Sequence, residues 1–180
     1  MAEDDTGEGS SVPAMRPSAV ADFDREALRS AFGRFATGVT IVTCLDASGQ
    51  AVGLTVNSFS SLSLEPPLVL WSLRSASPSM SAFDAAPYFA INVLGQHQID
   101  LSRRFASGAS DKFAVAAWNA GAGGAPVLVG CEAVFECQCV SRQEAGDHVL
   151  FIGRVLRLRD SAQEPLVYHA GRYRRLGEAL

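Results

Sequence analysis

The chain has few cysteines, few charged residues and no long apolar run. It contains four cysteines in 180 residues, and none is spaced as CxxC, the usual signature of a zinc or thiol-redox motif. No apolar run reaches the roughly 18 to 20 residues that a membrane helix needs, and the N-terminus is acidic where a signal peptide is basic. We therefore expect a cytoplasmic protein that does not enter a membrane.

Several cofactor and nucleophile motifs are also missing. The stretch GAGGAP at 121–126 does not follow the GxGxxG pattern, so a Rossmann dinucleotide site is not expected. Neither a GxxxxGK[ST] phosphate loop nor a GxSxG nucleophile elbow occurs, and the three histidines are scattered. Cys137 and Cys139 would share one face of a strand, but no His or Cys pair nearby completes a tetrahedral site. We interpret them as small apolar core residues and expect no metal.

The composition is typical of one globular domain. Apolar residues make up 48% and charged residues 19% of the chain. Residues 1–20, rich in Gly, Ser, Pro and acidic side chains, predict a disordered arm before a domain at 21–180. The net charge is −4, yet positions 154–175 carry six arginines against two acidic residues, a local balance of +4. This cluster is compatible with nucleic acid, with ligand phosphates or with a solvated strand face. Nucleic acid is the least favoured, because the overall charge is negative.

Hydrophobic periodicity predicts many strands and a few helices. Helical spacing marks 22–36, 78–86 and 96–106, the second opened by Ser77-Pro78. Strands are expected at 39–45, 51–56, 68–73, 88–94, 131–140, 148–159 and 166–176. Gly146-Asp147 closes the loop before 148–159, and by spacing alone His148 is only the first residue of a strand. Regularly spaced strands with occasional helices favour an antiparallel barrel.

Residues 53–73, GLTVNSFSSLSLEPPLVLWSL, join two strands through a hydroxyl-rich segment. Apolar residues alternate with small or polar ones from 52 to 57, as in a half-buried strand. Serines follow, and Glu65-Pro66-Pro67 forces a turn before the next apolar strand. The serine segment fits either a cradle for an anion such as phosphate or a plain polar hairpin loop.

Six motifs occur in order: FATGVTIVTC at 35–44, the 53–73 segment, FAINVL at 89–94, the pairs RF and DKF at 104–105 and 111–113, GDH at 146–148, and YHAGRYRRL at 168–176. Together they resemble the flavin reductase family with the FMN-binding split barrel. Members of that family are the reductase components of two-component flavin-dependent monooxygenases. The resemblance implies a mainly β protein, an antiparallel Greek-key split barrel with a few short flanking helices, which works as a homodimer.

The resemblance also implies a flavin site along 53–61. Backbone groups near Thr55 and Val56 would face the edge of the isoalloxazine ring. Asn57, Ser58 and Ser60 would reach the ribityl chain and phosphate, and Ser61 would end the segment that lines the flavin. Three residues would close the phosphate end, with Ser77 at a helix N-terminus as a further donor: Arg104, Phe105 and Lys112.

A nicotinamide site is implied next to the flavin. His148, in the motif Gly146-Asp147-His148, would position the nicotinamide, and Arg172 and Tyr173 would lie beside it. Hydride would pass directly from the nicotinamide to the flavin, so no acid-base pair is required and His148 orients the donor without giving a proton.

The implied function is NAD(P)H-dependent reduction of FMN or FAD, with the reduced flavin passed to a partner monooxygenase. NADH and NADPH are both compatible with the resemblance, and so are both flavins. Two other functions remain open on the same barrel. One is a flavin carrier or sensor without turnover, and the other is an enzyme that keeps its flavin and reduces another substrate.

Overall fold

The structure is a computed structural model, and it describes residues 23–179. The arm expected at 1–20 lies outside the described residues. Three short α-helices occur in this part of the chain: α1 (Arg25–Phe32), α2 (Met80–Ala85) and α3 (Ile99–Ala106). Among the described residues, no helix has the length and apolar character needed to cross a bilayer.

Twelve strands occur in the described chain. They are β1 (Thr37–Gly38), β2 (Thr40–Leu45), β3 (Ala51–Val56), β4 (Ser60–Leu64), β5 (Pro67–Arg74), β6 (Tyr88–Val93), β7 (Trp118–Ala120), β8 (Pro126–Leu128), β9 (Ala133–Ala145), β10 (His148–Asp160), β11 (Val167–His169) and β12 (Arg172–Arg174). Seven form one sheet in the order β3-β2-β6-β9-β10-β5-β4, and two smaller sheets have the orders β1-β11-β12 and β7-β8. The registered pairs are antiparallel. The predicted class, mainly β and antiparallel with a few short helices, is therefore confirmed.

The main core lies under β5 and β10 and is built around aromatic rings. Trp71 is fully buried, and its ring stacks on that of Phe151 with a centroid separation of 4.7 Å. Phe83 of α2 meets the same indole edge-on at 4.9 Å. Offset and edge-to-face pairs of this kind add to the stability gained from apolar burial. The aromatic core thus fixes β5, β10 and α2 relative to one another.

The serine segment is not the loop that the sequence suggested. Residues 60–64 form β4, an edge strand in which Ser60 pairs with Leu70 and Ser61 with Val69. Pairing with β5 satisfies the backbone of this segment, and such tertiary contacts override weak local strand propensity. Only residues 57–59 remain as the connection after β3.

Other boundaries also differ from the predicted ones. Helix α1 ends at Phe32, four residues early, and α2 begins at Met80 with Ser79 as its N-cap, so Pro78 lies in the preceding turn. The loop before β10 consists only of Gly146 and Asp147, because β9 continues to Ala145. The last predicted strand is a hairpin of β11 and β12, since Ala170 and Gly171 turn the chain with positive φ.

Candidate functional site

Two cavities adjoin one another along the outer edge of β3. The first has a volume of about 450 Å³ and is lined by residues 54–58, 72–74 and 76–78 and by His148. The second, of about 660 Å³, is lined by residues drawn from 46–53, 78–82 and 107–113. Consecutive residues of β3 line the two in turn, and Pro78 borders both. We call the continuous depression the β3 cleft.

The edge of β3 leaves backbone groups available to a ligand. Strand β3 pairs with β2 on one side and ends the seven-stranded sheet on the other. The Gly53 carbonyl accepts a hydrogen bond from Lys112 Nζ at 3.4 Å, so it points away from β2. In an antiparallel ladder alternate residues present their N–H and C=O groups to the same side, so the backbone of Thr55 faces outward too. The Val56 backbone faces β2 instead. Thr55 and Val56, which were both expected to face the flavin, therefore present their backbone groups to opposite sides of β3.

The side chains of Thr55 and Ser58 are already occupied within the fold. Thr55 Oγ1 donates to the Ser102 carbonyl of α3 at 2.7 Å. Ser58 Oγ donates to the Ser72 carbonyl and accepts from the Ser72 amide, both at 3.0 Å. A hydroxyl has one proton to donate, so the Ser58 hydroxyl has none left for a phosphate. Its evident role is to tie the end of β3 to β5, while Asn57 is exposed in the first cavity.

His148 enters the first cavity from the turn between β9 and β10. Its Nδ1 lies 2.8 Å from an Asp147 carboxylate oxygen. That hydrogen bond, with the charge of the imidazole, holds the pKa of Asp147 below its usual 3.8. Gly146 has a φ of +62°, a conformation that glycine adopts without strain. The short turn therefore fixes where the His-Asp pair stands, although neither Gly146 nor Asp147 lines the cavity.

Lys112 lies at the opposite end of the β3 cleft, in the second cavity. Its Nζ donates to the Phe105 carbonyl at 3.0 Å as well as to Gly53. Partial burial lowers its pKa from the ordinary 10.5, because a low-dielectric site disfavours the charged form. An ammonium has three protons to donate, so one remains for an anion in the second cavity.

Arg104 and Phe105, expected at the phosphate end with Lys112, line none of the three cavities found. The Arg104 guanidinium pairs with the Asp111 carboxylate. The Phe105 ring is completely buried and packs beneath Gly53, where an added Cβ would come within 2.7 Å of it. Phe105 thus supports β3 from behind and offers only its carbonyl, to Lys112.

The remaining predicted residues divide between the cleft and the surface. Ser77 lines the first cavity, but it precedes the N-cap of α2 by two residues, so it is not at a helix N-terminus. Ser60 and Ser61 are exposed on β4, and Arg172 is exposed on β12. Tyr173 lines a third cavity of about 200 Å³ together with residues 55–57. The structure therefore does not bring Tyr173 and His148 into the same cavity.

The sequence did not single out the β5 side of the first cavity. Ser72, Leu73 and Arg74 line it, and Arg74 pairs in register with His148 across the β5–β10 ladder. The only local sign of this side of the cavity is the charge of Arg74, which lies between an apolar strand and the serine-rich turn at 75–79. Nothing local to either segment specifies that β5 and β10 are neighbours.

The lining of the β3 cleft suits a flat, largely apolar ring that carries a polar chain. Apolar side chains of Leu54, Val56 and Leu73 stand beside the donors Asn57 and Ser77 in the first cavity. Lys112 supplies positive charge in the second. Apolar walls with a few placed polar groups are the usual composition of a cofactor site. This set of apolar walls and donors fits a flavin.

Comparison with protein families supports the same reading. The family model described as "Flavin reductase like domain" matches residues 32–177. A probable flavin reductase of Rhizobium meliloti is 47% identical over 151 residues, which are 84% of this chain and 49% of that protein. The reductase subunit HsaB of a flavin-dependent monooxygenase from Rhodococcus jostii is 40% identical over 151 residues, covering 83% of this chain and 77% of the subunit.

A solved structure is similar as well. An NADH:FAD oxidoreductase of Streptomyces globisporus C-1027, in complex with NAD and FAD fragments, superposes with a TM-score of 0.82 at 38% identity. The match covers 89% of this chain and 97% of that one. By contrast, this chain spans about half the length of the Rhizobium meliloti relative.

Proposed function

The chain belongs to the family of flavin reductase-like domains, and we propose that it is an NADH:flavin oxidoreductase that reduces FMN or FAD. The observation that carries the proposal is the first cavity, in which the edge of β3 and His148 face one space. The similar Streptomyces globisporus structure, with its NAD and FAD fragments, supports the pairing of these two ligands. The predicted family is thereby confirmed, and the activity is our proposal.

The reaction asks little of ionisable side chains. The C4–H bond of the reduced nicotinamide breaks and its hydride forms the N5–H bond of the flavin, so the nicotinamide is oxidised by two electrons and the flavin is reduced. The protein contributes alignment of the two rings, which by itself accelerates transfer strongly. A protein that only has to align the two rings needs few titratable groups, and the titratable residues that line the first cavity are His148 and Arg74.

Five residues of the β3 cleft have roles in this proposal. The outward backbone of Thr55 bonds the flavin edge, and Asn57 and Ser77 meet its polar groups. Lys112 neutralises the flavin phosphate in the second cavity. His148 accepts a hydrogen bond from the nicotinamide carboxamide through Nε2 and so orients the donor ring.

The product is proposed to leave and serve a partner monooxygenase. The β3 cleft is open along its length, and the Rhodococcus jostii relative is itself the reductase subunit of a monooxygenase.

We also propose a homodimer, because large apolar side chains are exposed on α1 and β4: Phe32 is 69% and Leu64 94% exposed. Four free cysteines fit the reducing cytoplasm. Light scattering at twice the chain mass would support the dimer.

A turnover assay separates this function from the alternatives. Purified protein is mixed with NADH or NADPH and an excess of FMN or FAD, and loss of the nicotinamide absorbance is followed. Many turnovers per protein with a flavin that elutes separately in gel filtration are expected. Binding without turnover would instead identify a carrier or sensor. Flavin that stays bound through gel filtration would indicate an enzyme that reduces another substrate.

A further inference from the structure

Arg74 is a cation of the first cavity that the proposed chemistry does not yet use. It is the last residue of β5, and it lines the cavity beside Ser72 and Leu73. Across the ladder its register partner is His148. Arg74 carries a positive charge and His148 can acquire one, and the two stand next to each other in the first cavity. Lys112 lies in the second cavity.

Arg74 is held in this place by the turn that carries His148. The Ser75 amide donates to the Asp147 carbonyl at 2.9 Å, and the Ser77 amide donates to the Arg74 carbonyl at 2.9 Å. The first bond joins the β5–α2 turn to the β9–β10 turn, and the second closes the β5–α2 turn on Arg74. The backbones of Arg74 and His148 are thereby held at a fixed separation, which suits two contacts to parts of one ligand.

The charge of Arg74 is available to a ligand. Among the described residues it makes no ion pair, whereas Arg103 and Arg104 each pair with an aspartate. The acidic group that faces it is Asp147, whose carboxylate is hydrogen-bonded to His148; Arg74 contributes only the last of the effects that lower the pKa of Asp147. A guanidinium that borders a cavity is suited to bind phosphate oxygens in a two-pronged way.

We propose that Arg74 binds the pyrophosphate of the nicotinamide dinucleotide while His148 orients its nicotinamide ring. This assignment rests on the proposed function, since it takes the donor site to be at His148. Both the flavin and the nicotinamide dinucleotide carry phosphate. We assign Arg74 to the dinucleotide because Arg74 pairs with His148 and because Lys112 is already assigned to the flavin phosphate. Arg74 is then a specificity residue that favours a dinucleotide over a bare dihydronicotinamide.

The first test is direct binding of ADP-ribose, which has the pyrophosphate but no nicotinamide. Isothermal titration is carried out on the unaltered protein, Arg74→Ala and Arg74→Lys, with Arg154→Ala as control. Arg154 is an exposed arginine that pairs with Leu68 at the far end of the same ladder. Loss of a charged hydrogen-bond donor should weaken Kd about tenfold in Arg74→Ala. Arg74→Lys should recover part of this loss, and Arg154→Ala should leave Kd unchanged. Equal affinity in all four proteins, or no binding by the unaltered one, overturns the assignment.

The second test uses turnover with matched substrates. Arg74→Ala should raise KM for NADH about tenfold and leave the rate with 1-benzyl-1,4-dihydronicotinamide, which has no phosphate, unchanged. An equal loss with both donors would mean that Arg74 only supports the fold, and it would refute the proposal. A loss confined to FMN relative to riboflavin would place Arg74 on the flavin phosphate and refute it too. If the unaltered protein reduces no flavin, the proposed function fails, and ADP-ribose binding still decides the role of Arg74.

Discussion

His148 Nδ1 and a carboxylate oxygen of Asp147 lie 2.8 Å apart, within hydrogen-bonding distance. An ionised carboxylate only accepts hydrogen bonds, so Nδ1 carries a proton, and in the neutral form of the ring Nε2 is then an acceptor. The carboxamide of a nicotinamide can donate to it. The Asp147-His148 pair therefore gives the ring both an orientation and a fixed tautomer, and the next two predictions follow from it.

His148→Ala should impair binding of the donor far more than binding of the flavin. Loss of one hydrogen bond and of the imidazole surface should raise KM for NADH about tenfold or more, while flavin affinity changes little. His97→Ala is the control, since His97 is exposed on the turn before α3 and lines none of the cavities found. Steady-state kinetics and flavin titration measure the two effects. Equal losses for the two ligands would contradict the assigned role.

Asp147→Asn tests the tautomer. The amide can donate to Nδ1, which moves the imidazole proton to Nε2 and removes the acceptor. We expect KM for NADH to rise severalfold, with flavin affinity and thermal stability close to those of the unaltered protein. Asp100→Asn, at an exposed carboxylate paired with Arg103, should have no effect. Unchanged KM in Asp147→Asn would show that the tautomer is irrelevant.

Lys112 should make FMN affinity depend on pH in alkaline solution. Its pKa is lowered from 10.5 by burial, and only the charged form attracts phosphate, so affinity is full below the lowered pKa and falls as pH rises through it. Titration of FMN through alkaline pH should show this fall at a lower pH than an ordinary lysine would give. Lys112→Arg should keep its affinity throughout, and riboflavin, without a phosphate, provides the ligand control. A flat profile for the unaltered protein would exclude Lys112 from the phosphate site.

Gly53→Ala should destabilise the fold through β3. The added Cβ would lie 2.7 Å from Phe105 Cε1 and 3.1 Å from Thr43 Cγ2, and both side chains belong to buried residues. Overpacking of this kind typically lowers the free energy of unfolding by about 1 to 3 kcal/mol. Urea unfolding measures the change, and Gly38→Ala, whose Cβ would meet nothing within 4 Å, is the control. Equal stability of the two variants would mean that β3 and α3 move apart freely.

Local patterns were enough to predict the β2–β3 hairpin. Apolar alternation marks both strands, and Asp46 caps the turn by accepting hydrogen bonds from the amides of Ser48 and Gln50, while Gly49 supplies a φ of +80°. Each of these features lies within a few residues of the others, so the sequence carries the whole signal.

The rest of the site depends on contacts between distant segments. Arg74 lies opposite His148 only because β5 pairs with β10, and no local pattern encodes that pairing. The same holds for Ser58, whose hydroxyl is occupied by the backbone of Ser72. The family resemblance implied that Phe105 contacts the ligand, but its ring packs against β3 in the core. The motifs therefore pointed to the segments that form the cleft but could not tell lining residues from supporting ones.

The central claim is that the β3 cleft holds the flavin with its ring beside His148, and a crystal soaked with FMN and NAD tests it most directly. The account predicts ring density along Thr55 with the phosphate near Lys112 and the nicotinamide stacked on the flavin by His148. Flavin bound elsewhere on the protein, or a first cavity filled by the chain's own side chains, would contradict it.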